Sequence, residues 1–140
     1  MKETFMVANV HAGVLPARGV WVGRIVSWLP ALFLLVDGLA KLFKPAPVLE
    51  GTVKLGYSES VIIPLGIVLI VCTALYLVPR TAVLGAILLT GYLGGAVATH
   101  VSRLGDGWFG VVFAVTFGVL LWLGLYLRDA RVRELLPLRD

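Results

Sequence analysis

Two opposite charges, Asp37 and Lys41, lie four residues apart inside an apolar segment that runs from Arg24 to Phe43. About 20 mostly apolar residues suffice for a helix to cross a ~30 Å hydrocarbon core, and this segment is about that long. An aspartate four residues before a lysine is the favourable order for an ion pair on one helix face. Because ionisable side chains within a span are costly and often functional, the pair is a candidate site. Alternatively, the pair only neutralises itself near the interface, with Lys41 extending outward.

Thr99 and His100 close another apolar segment, 82–101. If this third span runs in the same direction as the first, both residues reach the membrane surface near Asp37 and Lys41. We therefore predict a polar cluster of these four residues at the outer leaflet. Histidine titrates near neutral pH, so His100 is a candidate for ligand binding or proton handling. The alternative is an interfacial histidine bonded to backbone or lipid headgroups.

Several chemistries are excluded or not expected. Cys72 is the single cysteine, which excludes an internal disulfide and a CxxC redox pair. His100 is the one histidine within the spans, so a bis-histidine haem site is excluded. Walker, Rossmann and metal-ligand motifs are missing from the sequence, and we expect neither a metal site nor catalysis by the chain alone. The basic residues flank apolar segments instead of mixing with aromatics, so the expected partner is the lipid bilayer and not nucleic acid.

The composition predicts an integral membrane protein. Hydrophobic residues make up 59% of the 140 residues and charged residues 14%, against about 25% charged residues in soluble domains. We predict an all-α protein, an antiparallel four-helix transmembrane bundle, with spans at about 20–43, 61–78, 82–101 and 108–127. Residues 1–19 are expected to be a cytoplasmic leader, ordered or disordered, and residues 128–140 a cytoplasmic basic tail. Between spans one and two, residues 48–57 indicate a short interfacial helix or a plain loop.

Span three is rich in small residues. They recur every four positions at Ala86, Thr90, Gly94 and Ala98, and Gly91 with Gly95 forms a GxxxG motif. Small faces let helix backbones approach closely in lipid. We therefore predict that Gly91, Gly94 and Gly95 are helix-packing residues and that span three is the centre of the bundle. Packing within the monomer is favoured over dimerisation.

The lysines and arginines predict the orientation of the spans. With the N-terminus inside, eight of these residues fall on the inner side and four on the outer side. The excess of positive charge favours the cytoplasmic side. Both termini are therefore expected in the cytoplasm.

Longer segments resemble a known family. They are FLLVDGLAKLFKPAPVLEGTVKLGYSES, PRTAVLGAILLTGYLGGAVATH and LYLRD. Together they are similar to the DoxX-like family of small bacterial four-helix membrane proteins, over about residues 21–137. The resemblance implies a multi-pass protein of the bacterial cytoplasmic (inner) membrane. The wider group includes small subunits of quinone-linked oxidoreductases, which implies a redox-complex role and quinone as a candidate cofactor, but no catalytic residue set.

Three hypotheses follow for the function. The first is a membrane subunit or scaffold that partners a redox enzyme and presents a quinone-sized pocket at the outer leaflet. The second is a stand-alone protein that handles a small molecule or protons through Asp37, Lys41 and His100. The third is a purely structural membrane factor, and a homo-oligomer is compatible with each.

Overall fold

The structure, a computed structural model, describes residues 15–103 and 108–136, and these form six helices without strands. The helices are α1 (Ala17–Phe43), α2 (Ala46–Lys54), α3 (Glu59–Leu77), α4 (Ala82–Ser102), α5 (Phe109–Arg128) and α6 (Ala130–Leu135). Four of them, α1, α3, α4 and α5, are long and apolar enough to cross a membrane. The predicted all-α, four-helix membrane architecture is therefore confirmed, and a short helix, α2, is present between spans one and two.

Part of the predicted leader and tail lies outside the described residues. Within them, α1 already begins at Ala17, so the last residues assigned to the leader are helical. The segment after α5 forms α6, whose Val132 is buried against the bundle. The predictions for residues 1–14 and 137–140 concern parts of the chain that are not described.

The four long helices pack as a ring. Helix α1 packs against α3 and α5, and α4 packs against the same two helices from the opposite corner. Each long helix therefore has two main neighbours and one face directed outward. The prediction that span three, now α4, is the centre of the bundle is wrong, because a ring of four has no central helix.

The buried face of α4 differs from the predicted one. Its buried residues are Ala82, Gly85, Ala86, Leu89 and Leu93. A Cβ on Gly85 would collide with the backbone of Tyr76 in α3, so this glycine permits the closest approach of α3 and α4.

The predicted packing role of Gly91, Gly94 and Gly95 is wrong within the described monomer. A Cβ at any of the three would meet no other atom within 4 Å, and all three residues are exposed. The physical reason is the rotation of α4 about its axis, which turns Gly85 toward α3 and the GxxxG face outward.

The ring has two chemically different ends. The α2 end comprises the C-terminal ends of α1 and α4, the N-terminal ends of α3 and α5, and α2 itself. The arginine end lies opposite, and its arginines are Arg18, Arg24, Arg80, Arg128, Arg131 and Arg133. The turn from α1 into α2 places Lys44 in the left-handed region (φ 48°), followed by Pro45, which cannot continue α1.

Candidate functional site

The α2 end carries an ion pair inside a membrane-spanning helix. The Nζ atom of Lys41 donates to Oδ2 of Asp37 over 2.5 Å, one helical turn away. The Lys41 side chain is 15% exposed and that of Asp37 is 35% exposed. The Lys41 side chain is therefore largely enclosed, while that of Asp37 is partly accessible from outside the bundle.

A close crossing of α1 and α3 holds Lys41 in place. A Cβ on Gly66 of α3 would lie 2.8 Å from the carbonyl oxygen of Gly38 and 2.9 Å from Cβ of Lys41. Gly38 and Gly66 are both buried, so the two backbones nearly touch at this level. This crossing fixes the base of the Lys41 side chain directly against α3.

A hydroxyl pair fastens the α2 segment to the end of α4. The hydroxyls of Tyr57 and Thr99 are 2.7 Å apart, and Thr99 also donates to the carbonyl of Gly95 over 2.9 Å. Since Thr99 uses its single proton on Gly95, Tyr57 donates to Thr99 in this arrangement. Tyr57 lies between the end of α2 at Lys54 and the start of α3 at Glu59. This one hydrogen bond therefore joins α4 to the connection between α2 and α3.

Arg103 covers the same connection from the end of α4. Its guanidinium occupies the space that a Cβ on Gly56 would need, and Gly56 has a positive φ of 90°. Only glycine adopts this conformation readily. A side chain at this position would therefore displace Arg103 as well as strain the turn.

His100 lies at the same end but faces a different neighbour. Its imidazole ring packs against Gly110 at the start of α5, where a Cβ would collide with the ring. His100 forms no ion pair or hydrogen bond with Asp37 or Lys41. The structure thus brings Asp37 to Lys41 and Thr99 to Tyr57, and it places His100 on the α5 side of this layer.

The sequence analysis missed one tyrosine on the helix face that carries Thr99. Tyr92 of α4 is half-buried and packs against the hydrophobic core. It stands seven residues, or about two helical turns, before Thr99 on the same face of α4. That spacing was a usable signal, because it places both hydroxyl groups on one side of the helix. We call Asp37, Lys41, Tyr57, Tyr92 and Thr99 the α2-end layer.

A second polar network at the arginine end was also missed. The Tyr76 hydroxyl donates to the Leu121 carbonyl over 2.7 Å and lies 3.0 Å from Oγ of Ser27. Arg128 donates from Nη2 to the Tyr76 carbonyl over 3.1 Å, and its guanidinium stands 5.0 Å from the centre of the Tyr76 ring. Tyr76 and Ser27 are fully buried. This network joins α1, α3 and α5 inside the bundle, and the Nε atom of Arg128 is buried there without a hydrogen-bond partner among the described residues.

An apolar groove of about 590 Å³ follows the outward seam between α4 and α5. Its lining includes the small residues Gly94, Ala114 and Gly118, and the larger Trp122 and Tyr126 toward the arginine end. Within it, the indole of Trp122 donates to Thr90 over 2.8 Å, and Thr90 donates to the carbonyl of its own helix at Ala86. The polar groups in the body of the groove therefore satisfy each other.

Metals and quinones make different demands on the side chains that surround them. Within 15–103 and 108–136, no three His, Cys, Asp or Glu side chains come together in a way that could hold a metal ion. A quinone needs hydrogen-bond donors for its carbonyl oxygens and an apolar space for its tail. The groove fits the second need, but it runs toward the other end of the bundle, and the Tyr57 and Thr99 hydroxyls of the α2-end layer already donate within the protein.

Comparison with known proteins identifies the family. The family model described as the DoxX-like family matches residues 25–124, which covers most of α1, all of α2, α3 and α4, and most of α5. No curated protein and no solved structure matches the chain. The match includes the whole α2-end layer and extends over most of the sequence. This four-helix membrane protein therefore belongs to the DoxX-like family.

Proposed function

We propose that this protein is a membrane subunit or scaffold of a redox complex, and that its α2 end holds the partner enzyme. The membrane character and the DoxX-like membership support the first part of the proposal. The observation that carries the second part is the attachment of α2. The Tyr57–Thr99 hydrogen bond and Arg103 fix its C-terminal connection to the bundle, while none of its own residues is buried. A fixed but uncovered helix is suited to bind a partner.

The exposed surface of α2 combines opposite charges with an apolar side chain. Glu50 and Lys54 are exposed and stand one helical turn apart, and Val53 between them is 46% exposed. Charges of both signs at a contact surface select partners by complementarity and speed their encounter. An enzyme domain outside the membrane, with a matching pair of charges, fits this surface better than lipid does.

The proposal is tested by exchanging the two charges of α2. A variant with Glu50→Lys and Lys54→Glu keeps the net charge and reverses the surface pattern. The tagged protein is extracted in mild detergent, and the eluate is assayed for reduction of a soluble quinone analogue and analysed for the protein responsible. We expect the wild type to retain such an activity and the variant to lose most of it.

The control is the matching exchange at the other end of the bundle. Arg131→Glu with Glu134→Arg reverses two exposed charges on α6, and it should retain the co-purified activity. Equal retention by both variants would show that α2 does not hold the partner. A wild-type eluate without quinone reduction would contradict the redox-complex proposal itself.

A second candidate function is the handling of protons or a small molecule at the α2 end. The observation in its favour is the Asp37–Lys41 pair, in which the Asp37 side chain is partly accessible while the Lys41 side chain is largely enclosed. Ionisable groups of this kind in spans commonly mark ion or proton paths. In liposomes with a pH gradient, Asp37→Asn and His100→Gln should slow dissipation of the gradient, while Thr116→Val on α5 should not. If the pH gradient dissipates at the same rate with every variant and in empty liposomes, the protein does not conduct protons. The scaffold role then stands as the proposed function.

A further inference from the structure

The α4–α5 groove ends beside a cation. Tyr126, which lines the groove, lies below the guanidinium of Arg133, at 5.3 Å from ring centre to Cζ. Leu136, at the end of α6, closes the same end of the groove. The short helix α6 thus folds back and places a positive charge where the apolar seam reaches the membrane surface.

Arg133 has donors left for a ligand. Its Nε atom donates to the Tyr126 carbonyl over 2.8 Å, and Nη2 donates to the Leu127 carbonyl over 3.3 Å. A guanidinium carries five N–H donors, and Nη1 makes no hydrogen bond to residues within 15–103 or 108–136. The two carbonyls orient the guanidinium and leave Nη1 with donors for a ligand.

The depth of the groove comes from missing side chains. A Cβ on Gly94 would meet nothing within 4 Å, and one on Gly118 would meet only Leu93 Cδ1, at 3.8 Å. The neighbouring Val115 and Val119 are exposed on the same face of α5. The groove is therefore open along its side, where a hydrocarbon chain can enter from the lipid.

From this geometry we infer that the α4–α5 groove is a binding site for an anionic phospholipid. One acyl chain lies along the seam over Gly94 and Gly118, and the phosphate group binds Arg133 at its end. Arginine is suited to phosphate through its planar set of donors. A neutral isoprenoid or quinone would fill the seam equally well but would leave the Arg133 charge without a counter-ion among residues 15–103 and 108–136. The inference concerns the opposite end of the bundle from the proposed partner surface and does not depend on it.

The test measures lipid binding to the purified full-length protein by native mass spectrometry. Phosphatidylglycerol and phosphatidylcholine with identical acyl chains are added in parallel. We expect phosphatidylglycerol to bind about fivefold more tightly, which corresponds to the ~1 kcal/mol typical of one basic residue near an anionic surface. Arg133→Gln should remove this preference, and Arg133→Lys should keep part of it. Arg24→Gln is the matched control and should keep the preference for phosphatidylglycerol. Arg24 lies at the same end and is also placed over an aromatic ring, that of Trp21.

A second pair of variants tests the groove independently of the charge. Gly118→Leu fills the seam without a backbone collision and should abolish binding of both lipids. Gly91→Leu adds the same side chain on α4 at a position that does not line the groove, and should bind lipid as the wild type does. Melting temperatures of all variants show that each is folded.

Three results would overturn the inference. The first is equal binding of the two phospholipids by the wild type. The second is tighter binding of a quinone than of phosphatidylglycerol, which would assign the groove to an isoprenoid. The third is a protein dimer that Gly118→Leu disrupts, which would assign the groove to a second copy of the chain.

Discussion

The two ends of the bundle contain similar polar groups in opposite states. At the arginine end, the Tyr76 hydroxyl is buried and contacts Ser27 Oγ and the Leu121 carbonyl. At the α2 end, Tyr57 is only half-buried, and Asp37 nearby is 35% exposed. A hydroxyl that is buried with its hydrogen bonds made inside the protein stabilises the fold and is not available to a ligand. A polar group that is partly open can exchange its partner, so we propose that the Tyr76 network stabilises the fold and that the α2 end binds the partner enzyme.

The helix crossings show the same contrast. Gly85 lies against the backbone of Tyr76, whereas Gly94 and Gly95 on the same helix meet open space. All three are glycines in the same apolar span, and they differ in which face of the helix they occupy. The difference shows that a glycine motif identifies a helix face that is able to pack closely. It does not show which face packs against a neighbouring helix.

The largest effect is expected from Gly85→Leu. Added bulk in a packed core typically costs 1–3 kcal/mol, and the cost here should lie at the top of that range or above because the obstacle is backbone. Gly94→Leu and Gly95→Leu place the same side chain in open space and should cost less than ~0.5 kcal/mol. Thermal unfolding in detergent measures all three. A loss of stability in Gly94→Leu equal to that in Gly85→Leu would mean that α4 is rotated differently.

An intermediate effect is expected from the Asp37–Lys41 pair. Asp37→Asn and Lys41→Met each leave one charge without its partner, and the double variant removes both. Because the pair is neither fully exposed nor fully buried, we expect a coupling energy of ~1 kcal/mol, between the values for surface and buried pairs. The double-mutant cycle uses thermal unfolding in detergent. Strict additivity of the two substitutions would show that the pair makes no energetic contribution.

The smallest effect on stability is expected from His100→Gln. The imidazole packs against Gly110 without an ion pair to Asp37 or Lys41, so the substitution should change the unfolding free energy by less than ~0.5 kcal/mol. Partner or ligand retention should nevertheless decrease if His100 takes part in recognition. If both the stability and the retention of partner or ligand are unchanged, His100 is an interfacial histidine without a role in recognition.

The sequence predicted what depends on local spacing. The four spans follow from hydropathy, and the Asp37–Lys41 contact follows from the separation of one helical turn. The packed faces could not be predicted in the same way, because lipid is as apolar as the bundle interior and does not select a face by polarity. The contact of His100 with Gly110 and the buried position of Tyr76 both depend on helix rotation, which only the assembled ring determines.

One matched pair of substitutions tests the division between the two ends most directly. Tyr76→Phe and Tyr57→Phe each remove a single hydroxyl, and each variant is scored for unfolding free energy and for co-purified quinone-reducing activity per folded chain. We predict that Tyr76→Phe loses about 1–3 kcal/mol, as expected when buried partners are left unsatisfied, and keeps the activity. Tyr57→Phe should remain within ~1 kcal/mol of the wild type and lose activity as α2 detaches from Thr99. If Tyr76→Phe loses the activity while Tyr57→Phe keeps it, the two ends do not divide stability and recognition in this way.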